Sequence, residues 1–218
     1  MSRFLNEVEA SELLTSYDIS MIGNKVCTRL EDVANAIKDL NFPLVMKVLS
    51  PDIQHKTDAG CVFLNINSLE DAKEKFNLIL KNAKKYNTNA KIDGVLIQEM
   101  AEKGLEVIVG MKRDPQFGPV IMTGMGGIYV EVFKDISFRL VPLTSYDAEE
   151  MIKDTRLYQI IEGARGTRYD FEALKNTIIK LSRLVEQNGN IEEIDINPFF
   201  LYETGKGGKG VDALIKLA

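Results

Sequence analysis

The 218-residue sequence is short of cysteine, histidine and basic charge, and each shortage excludes something. Two cysteines, Cys27 and Cys61, are too few for a disulfide framework and match no C-x-x-C metal spacing, so a reducing, cytoplasmic setting is expected. A formal net charge of -5 gives no dominant basic face. Nucleic acid and anionic membranes are therefore not expected partners, since both reward binding by counterion release to clustered cations. No apolar run approaches membrane-spanning length, and the start mixes Arg3, Asn6 and Glu7 with apolar residues, unlike a signal-peptide core. What is present is enough chain to bury a sizeable core, either as one domain or as two lobes sharing a cleft.

Apolar periodicity predicts alternating helices and strands. Val8, Leu13, Leu14 and Tyr17 predict a helix over Glu7–Tyr17, and Val33, Ala34, Ile37 and Leu40 another over Leu30–Leu40. Pro43–Leu49 and Cys61–Ile66 read as strands flanking a polar loop. Ser68 is placed to cap a long helix whose buried face is Leu69, Ala72, Phe76, Ile79, Leu80 and Ala83. Strands are then expected at Val95–Met100, Leu105–Met111, Val120–Thr123, Ile128–Phe133 and Phe138–Val141. A helix follows over Phe171–Val185, with strands at Ile191–Ile196 and Phe199–Tyr202, a glycine turn at Gly205–Gly210 and a last strand within Val211–Leu217. No internal repeat and no long linker are visible.

The single histidine, His55, lies in the loop His55-Lys56-Thr57-Asp58-Ala59-Gly60. A neutral imidazole nitrogen is a good phosphoryl acceptor near pH 7, and a nearby carboxylate can fix its tautomer or hold magnesium. Lys47 sits among Leu44, Val45, Met46 and Val48, where a buried ammonium calls for an anion such as a nucleotide phosphate; an edge-strand lysine reaching water is the alternative. Gln98, Glu99 and Met100 end an apolar strand before a polar loop, so backbone groups there can read an adenine edge while Glu102 or Glu106 accepts from ribose hydroxyls. An ordinary strand end with solvated acids fits these residues equally. Gly126, within Gly124-Met125-Gly126-Gly127, permits close approach of a phosphate, although tight turns use the same residues. Arg139 and Arg165 offer planar contacts to phosphates, or are surface arginines. In Glu193-Ile194-Asp195-Ile196-Asn197-Pro198, strand alternation puts Glu193, Asp195 and Asn197 on one face, and a hairpin would return Asp212 beside Asn197. Hard oxygen donors so arranged suit magnesium; a solvated sheet face explains them too.

In chain order, Lys47, the His55 loop, the Gln98-Glu99-Met100 hinge, the glycine turn at Gly126 and the late acids resemble the ATP-grasp fold. The runs His55–Gly60, Glu193–Pro198 and Asp212-Ala213-Leu214-Ile215, with the opening Leu13–Ile19, are similar to the beta subunit of ADP-forming acetyl-CoA (acyl-CoA) synthetases. That resemblance implies an α/β protein of two lobes, each with a mainly antiparallel or mixed sheet, and a nucleotide in the cleft between them. It implies an N-terminal helix at 1–20 packing on the C-terminal lobe, an N-terminal lobe at 21–100 and a C-terminal lobe at 101–218. The implied chemistry is acyl-CoA plus phosphate plus ADP giving carboxylate, CoA and ATP. A CoA-binding alpha subunit, in an alpha2-beta2 assembly, would pass a phosphoryl group from its own histidine through His55 to ADP. Asp195 matches an acid important for that step; Lys47 and Arg139 would neutralise phosphate, and Asn197, Asp212 and Asp195 would hold Mg2+. The chain departs from the family at Cys61, usually glycine, which touches the His55 loop, and at Asp18, also usually glycine, at a helix end. Two other readings compete: another ATP-grasp ligase working through an acyl phosphate, and a non-catalytic nucleotide-binding subunit.

Overall fold

The computed structural model describes residues 3–53, 55–127 and 135–218, so the strand expected over 128–133 lies outside the described residues. The chain divides into two compact units, one of Ile22–Met100 and one of Met1–Met21 with Ala101–Ala218.

The first unit is a sheet backed by a helix. Its strands are β2 (Asn24–Cys27), β3 (Leu44–Leu49), β4 (Val62–Ile66) and β5 (Gly94–Glu99). They run β2-β5-β3-β4, with every pair antiparallel. Period-two alternation sends Leu44, Met46 and Val48 of β3 and Val95 and Ile97 of β5 to one face. The long helix that follows β4, Leu69–Tyr86, meets that face with Ala72, Phe76, Ile79 and Ala83, all buried. Their spacing of four, three and four residues is one stripe of an α-helix. Ser68 starts the helix by accepting the Asp71 amide at 3.1 Å. Burying Phe76 alone contributes about 1.5–3 kcal/mol. The helix expected over Leu30–Leu40 is broken instead into a 3-10 turn at Leu30–Asp32, one α turn at Val33–Ala36 and a second 3-10 turn at Ile37–Asp39. Asp32, Asn35 and Asp39 are weak helix formers, and i→i+3 bonds such as Leu40 N–H to the Ile37 carbonyl close the turns. Val33 and Ile37 still reach the core.

The second unit holds β1 (Arg3–Phe4), β6 (Leu105–Asp114), β7 (Gly118–Met125), β8 (Ile136–Leu140), β9 (Ile191–Leu201), β10 (Gly208–Gly210) and β11 (Ala213–Leu217). Their order is β1-β11-β9-β6-β7-β8, with β10 also on β9, again antiparallel throughout. With the short turn at Val33–Ala36 counted as α2 and Leu69–Tyr86 as α3, the helices here are α1 (Glu7–Ser16), α4 (Ser145–Lys153), α5 (Leu157–Ile161) and α6 (Phe171–Gln187). They share a core with Val109, Met111, Ile121, Ile194, Ile196 and Ile215 of the sheet. α6 contributes Leu174, Ile178, Leu181 and Val185, once more at helical spacing.

Sequence periodicity gave no expectation for α4 and α5, although α4 carries a sequence signal: Thr144 and Asp147 form a reciprocal capping box. Two strands expected around Pro198 are one. Proline supplies no N–H, and the register of β6 against β9 slips there, with Val107 opposite Phe199 and Val109 opposite Ile196. The glycine turn is anchored by Asp170, which caps α6 through the Ala173 amide and accepts the Gly205 and Gly207 amides at 2.9 Å. Among the described residues no helix is long and apolar enough to cross a membrane.

Candidate nucleotide and phosphoryl site

His55 is exposed, on a compact turn between β3 and β4. The turn closes on itself: Ala59 N–H donates to the His55 carbonyl at 3.1 Å, Gly60 to Thr57 at 2.9 Å and Cys61 to Lys56 at 2.9 Å. Its incoming side is tied to the segment before β5. Ser50 Oγ donates to the Lys91 carbonyl at 2.6 Å, and Asp52 Oδ2 accepts the Lys91 amide at 2.7 Å. On the outgoing side Cys61 is fully buried, its thiol directed at the Ala59 and Ile79 carbonyls, and burial pushes that thiol's pKa up. The departure from glycine at 61 thus adds a packed side chain beneath the turn.

Lys47 and Gln98 come together. Val45 is opposite Gln98 and Lys47 opposite Leu96. Both polar residues therefore lie on the face of the first sheet that turns away from its core. Both are buried, at 7% and 4% exposure. Asn24, opposite Gln98 on β2, joins the same row. At the strand end the backbone N–H groups are already engaged, which narrows the expectation that backbone groups there read a base. Glu99 N–H donates to the Gly23 carbonyl and Met100 N–H to the Pro43 carbonyl at 2.9 Å. Glu99's carboxylate is also engaged, accepting the Asn41 amide at 2.9 Å and its Nδ2 at 2.7 Å. Neither backbone N–H at this strand end is therefore left to bond a base.

In the second unit the core takes Ile194 and Ile196, so Glu193, Asp195 and Asn197 share the opposite face of β9. Asp195 lies between Leu214 of β11 and Gly110 of β6, and Gly110 presents no side chain beside it. Asp195 Oδ1 is buried with no hydrogen-bond partner. Burial raises the pKa of this carboxyl, with Glu193 adding to the effect. Asn197 donates its amide hydrogen to the Asp212 carbonyl at 3.1 Å, which brings Asp212 beside it as expected, although Asp212 precedes β11 rather than lying on it. Among the described residues no three His, Cys, Asp or Glu side chains form a metal cage. Magnesium does not need one: it takes one or two carboxylates and keeps waters and phosphate oxygens. An orphaned, buried carboxylate oxygen on Asp195, with Asn197 two residues further along the same face and Asp212 bonded to Asn197 through the backbone, is donor chemistry that suits such an ion.

Glu106 lies on this same face of the sheet and is exposed. Gly126 pairs with it: its N–H donates to the Glu106 carbonyl at 2.8 Å, and a Cβ there would stand 2.9 Å from the Glu106 carbonyl carbon. Close strand packing explains this glycine, and its N–H is not available to a phosphate. Glu102 is exposed in the loop before β6, close enough to Tyr202 to help burial raise the phenol's pKa. The expected role of Arg139 is not supported. Arg139 is opposite Ile121, a core position, so alternation turns it to the helix-covered face, opposite to Asp195. There its guanidinium binds Asp154, Ser137 and the Phe138 carbonyl. No local sequence signal marks Asn24 or Gly110, because cross-strand register alone sets them beside Gln98 and Asp195.

The family model described as an ATP-grasp domain matches residues 1–217. The beta subunit of acetate–CoA ligase (ADP-forming) I from Pyrococcus furiosus is 47% identical over 203 residues, covering 93% of this chain and 88% of that protein. The beta subunit of enzyme II from the same organism is 43% identical, covering 97% and 90%. A solved dinucleotide-forming acetyl-coenzyme A synthetase 1 from Ca. Korarchaeum cryptofilum gives a TM-score of 0.92 at 40% identity, covering 99% of this chain and 94% of that one. That structure contains coenzyme A, acetyl-coenzyme A and a phosphorylated phosphohistidine segment. A second structure of the same protein, at TM-score 0.85 and 39% identity over 99% and 93% of the two chains, holds coenzyme A and Mg-AMPPCP with the segment pointing towards the nucleotide binding site. The chain belongs to the ATP-grasp domain family, among the beta subunits of ADP-forming acetate–CoA ligases.

Proposed function

We propose that this chain is the nucleotide-handling beta subunit of an ADP-forming acyl-CoA (acetyl-CoA) synthetase, working with a CoA-binding alpha subunit in an alpha2-beta2 complex. The observation that carries the reading is the nearly full-length likeness, at 39% identity, to a protein solved with coenzyme A and Mg-AMPPCP and with its phosphohistidine segment pointing towards the nucleotide binding site. In this reading a neutral nitrogen of His55 attacks the phosphorus of the alpha subunit's phosphohistidine, breaking that N–P bond and forming one at His55. A β-phosphate oxygen of ADP then takes the phosphoryl group, and His55 is released neutral. Such transfers depend on in-line placement and charge neutralisation more than on covalent help.

Lys47 meets phosphate oxygens from the non-core face of the first sheet. Gln98 and the carbonyls of Glu99 and Met100 meet the base, and Glu102 or Glu106 the ribose. Asp195, Asn197 and Asp212 would hold Mg2+, which when bound supplies neutralising charge for the phosphates. Asp195 also supports the transfer step at His55. Arg139 has no part in phosphate binding.

His55 is the chain's only histidine, so any phosphohistidine made on this chain is at position 55. The test is intact-mass and phosphosite analysis of the assembled complex, wild type and His55→Ala, after ATP and Mg2+ under alkaline conditions that preserve phosphohistidine. A phosphoryl adduct lost in His55→Ala, with turnover lost alongside, is expected. Turnover retained in His55→Ala would overturn the relay and favour an ATP-grasp ligase that acts through an acyl phosphate.

A further inference from the structure

Besides the Cys61 thiol directed at the Ile79 carbonyl, a side-chain amide of α3 holds the turn carrying His55. Asn82 Nδ2 donates to the Gly60 carbonyl at 2.6 Å. Gly60 is in the left-handed region at φ +63, and a Cβ on it would stand 3.1 Å from Asn82 Nδ2. The backbone bonds within the turn use the carbonyls of His55, Lys56 and Thr57, while the Gly60 carbonyl is directed outward to the helix. Asparagine is a weak helix former, yet Asn82 lies well inside α3. Its side chain is spent on the loop.

Resting on the relay reading above, we propose that Asn82 is a positioning residue for His55. α3 is the rigid element here, packed on the sheet through Phe76, Ile79 and Ala83. The Gly60 carbonyl held by Asn82 shares its peptide plane with the Cys61 N–H, which donates to the carbonyl of Lys56, the residue next to His55. A rotation of that peptide plane therefore passes through the turn to the imidazole. Phosphoryl transfer is sensitive to such placement, whereas nucleotide affinity, set by residues away from the turn, is not.

The test is single-turnover phosphoryl transfer to ADP in the assembled complex, for wild type, Asn82→Asp, Asn82→Gln and His55→Ala. Asn82→Asp keeps the shape but sets a carboxylate against the Gly60 carbonyl. Its transfer rate should fall about tenfold or more with KM for ADP unchanged, because ångström-scale misplacement of a reacting group costs rate rather than binding. Asn82→Gln, which keeps an amide donor, should recover most of the rate. Hydrogen exchange at Gly60 and Cys61 should quicken in Asn82→Asp. A wild-type rate in Asn82→Asp while His55→Ala is dead would overturn the positioning role alone. A rate that falls only in step with ADP affinity would also overturn it. An active His55→Ala would remove the relay reading and the positioning role together.

Discussion

Gly110→Ala tests the strand pairing that supports Asp195. A methyl group at 110 would stand 2.9 Å from the Ile194 carbonyl oxygen and 2.9 Å from Met122 Cε, where ordinary contact begins at 3.4 Å. Met122 Cε ends a flexible side chain and can move aside. The Ile194 oxygen cannot, because it belongs to the backbone of β9, where Ile194 pairs with both β6 and β11. Overpacking against a fixed neighbour costs about 1–3 kcal/mol. Loss of unfolded-state freedom on replacing glycine returns about 0.4–1 kcal/mol. The net loss of roughly 1–2 kcal/mol corresponds to a fall in Tm of about 2–8 °C for a chain of this size. Gly189→Ala is the control: nothing lies within 4 Å of its added Cβ, so the entropic gain should stand alone. Paired thermal and urea melts measure both. Equal stability of the two variants would refute the close approach of β6 and β9, and with it the account of Asp195's neighbourhood.

Asp195→Asn should separate stability from activity. A buried carboxylate oxygen without a partner becomes part of a neutral amide, so Tm should hold or rise while phosphoryl transfer in the assembled complex falls at least about a hundredfold. A lower Tm with activity kept would contradict the reading. Both thiols should resist alkylation by iodoacetamide at pH 8 in the native chain and react after denaturation. Cys27 is pushed up to about 11 by burial, with Asp32 adding to it, and Cys61 is raised by burial. Rapid native labelling would count against the packing of either residue. The Thr144 hydroxyl and amide hold Asp147 below the usual carboxylate range. Because the folded-state pKa is depressed, the α4 cap contributes fully above the ordinary value of 3.8 and is lost as pH falls through the lower folded value. NMR shifts of the α4 amides should report fraying in that window and not at pH 5; Thr144→Ala should remove the pH response.

Long, strongly patterned segments were legible in the sequence. Phe76, Ile79 and Ala83 announced α3 and Ser68 its start; Leu174, Ile178 and Leu181 announced α6; alternation in β9 separated Ile194 and Ile196 from the acids. These depend on neighbours within a few positions, which a sequence displays directly. Short elements were harder to see. α5 is five residues long, and the break at Leu30–Asp39 turns on the balance between i→i+3 and i→i+4 bonds, to which apolar spacing is blind.

The chemical inventory is legible along the chain: one histidine, an acid–amide alternation near the end, a lysine among apolar residues, and the order that resembles an ATP-grasp chain. Which faces those groups occupy, and which of them are already engaged, follows from strand pairing and helix packing. Arg139 is a phosphate ligand by residue type and a partner of Asp154 by register, because a strand side chain's face depends on which strand it pairs with. The amides of Glu99, Met100 and Gly126 look like free donors in a sequence but bond to Gly23, Pro43 and Glu106. Asn82 lies 27 residues from His55 in the chain, and the packing of α3 on the sheet brings it to the turn. Hydrogen bonds and burial between distant segments form only when the chain closes on itself, so spacing along the chain does not encode them.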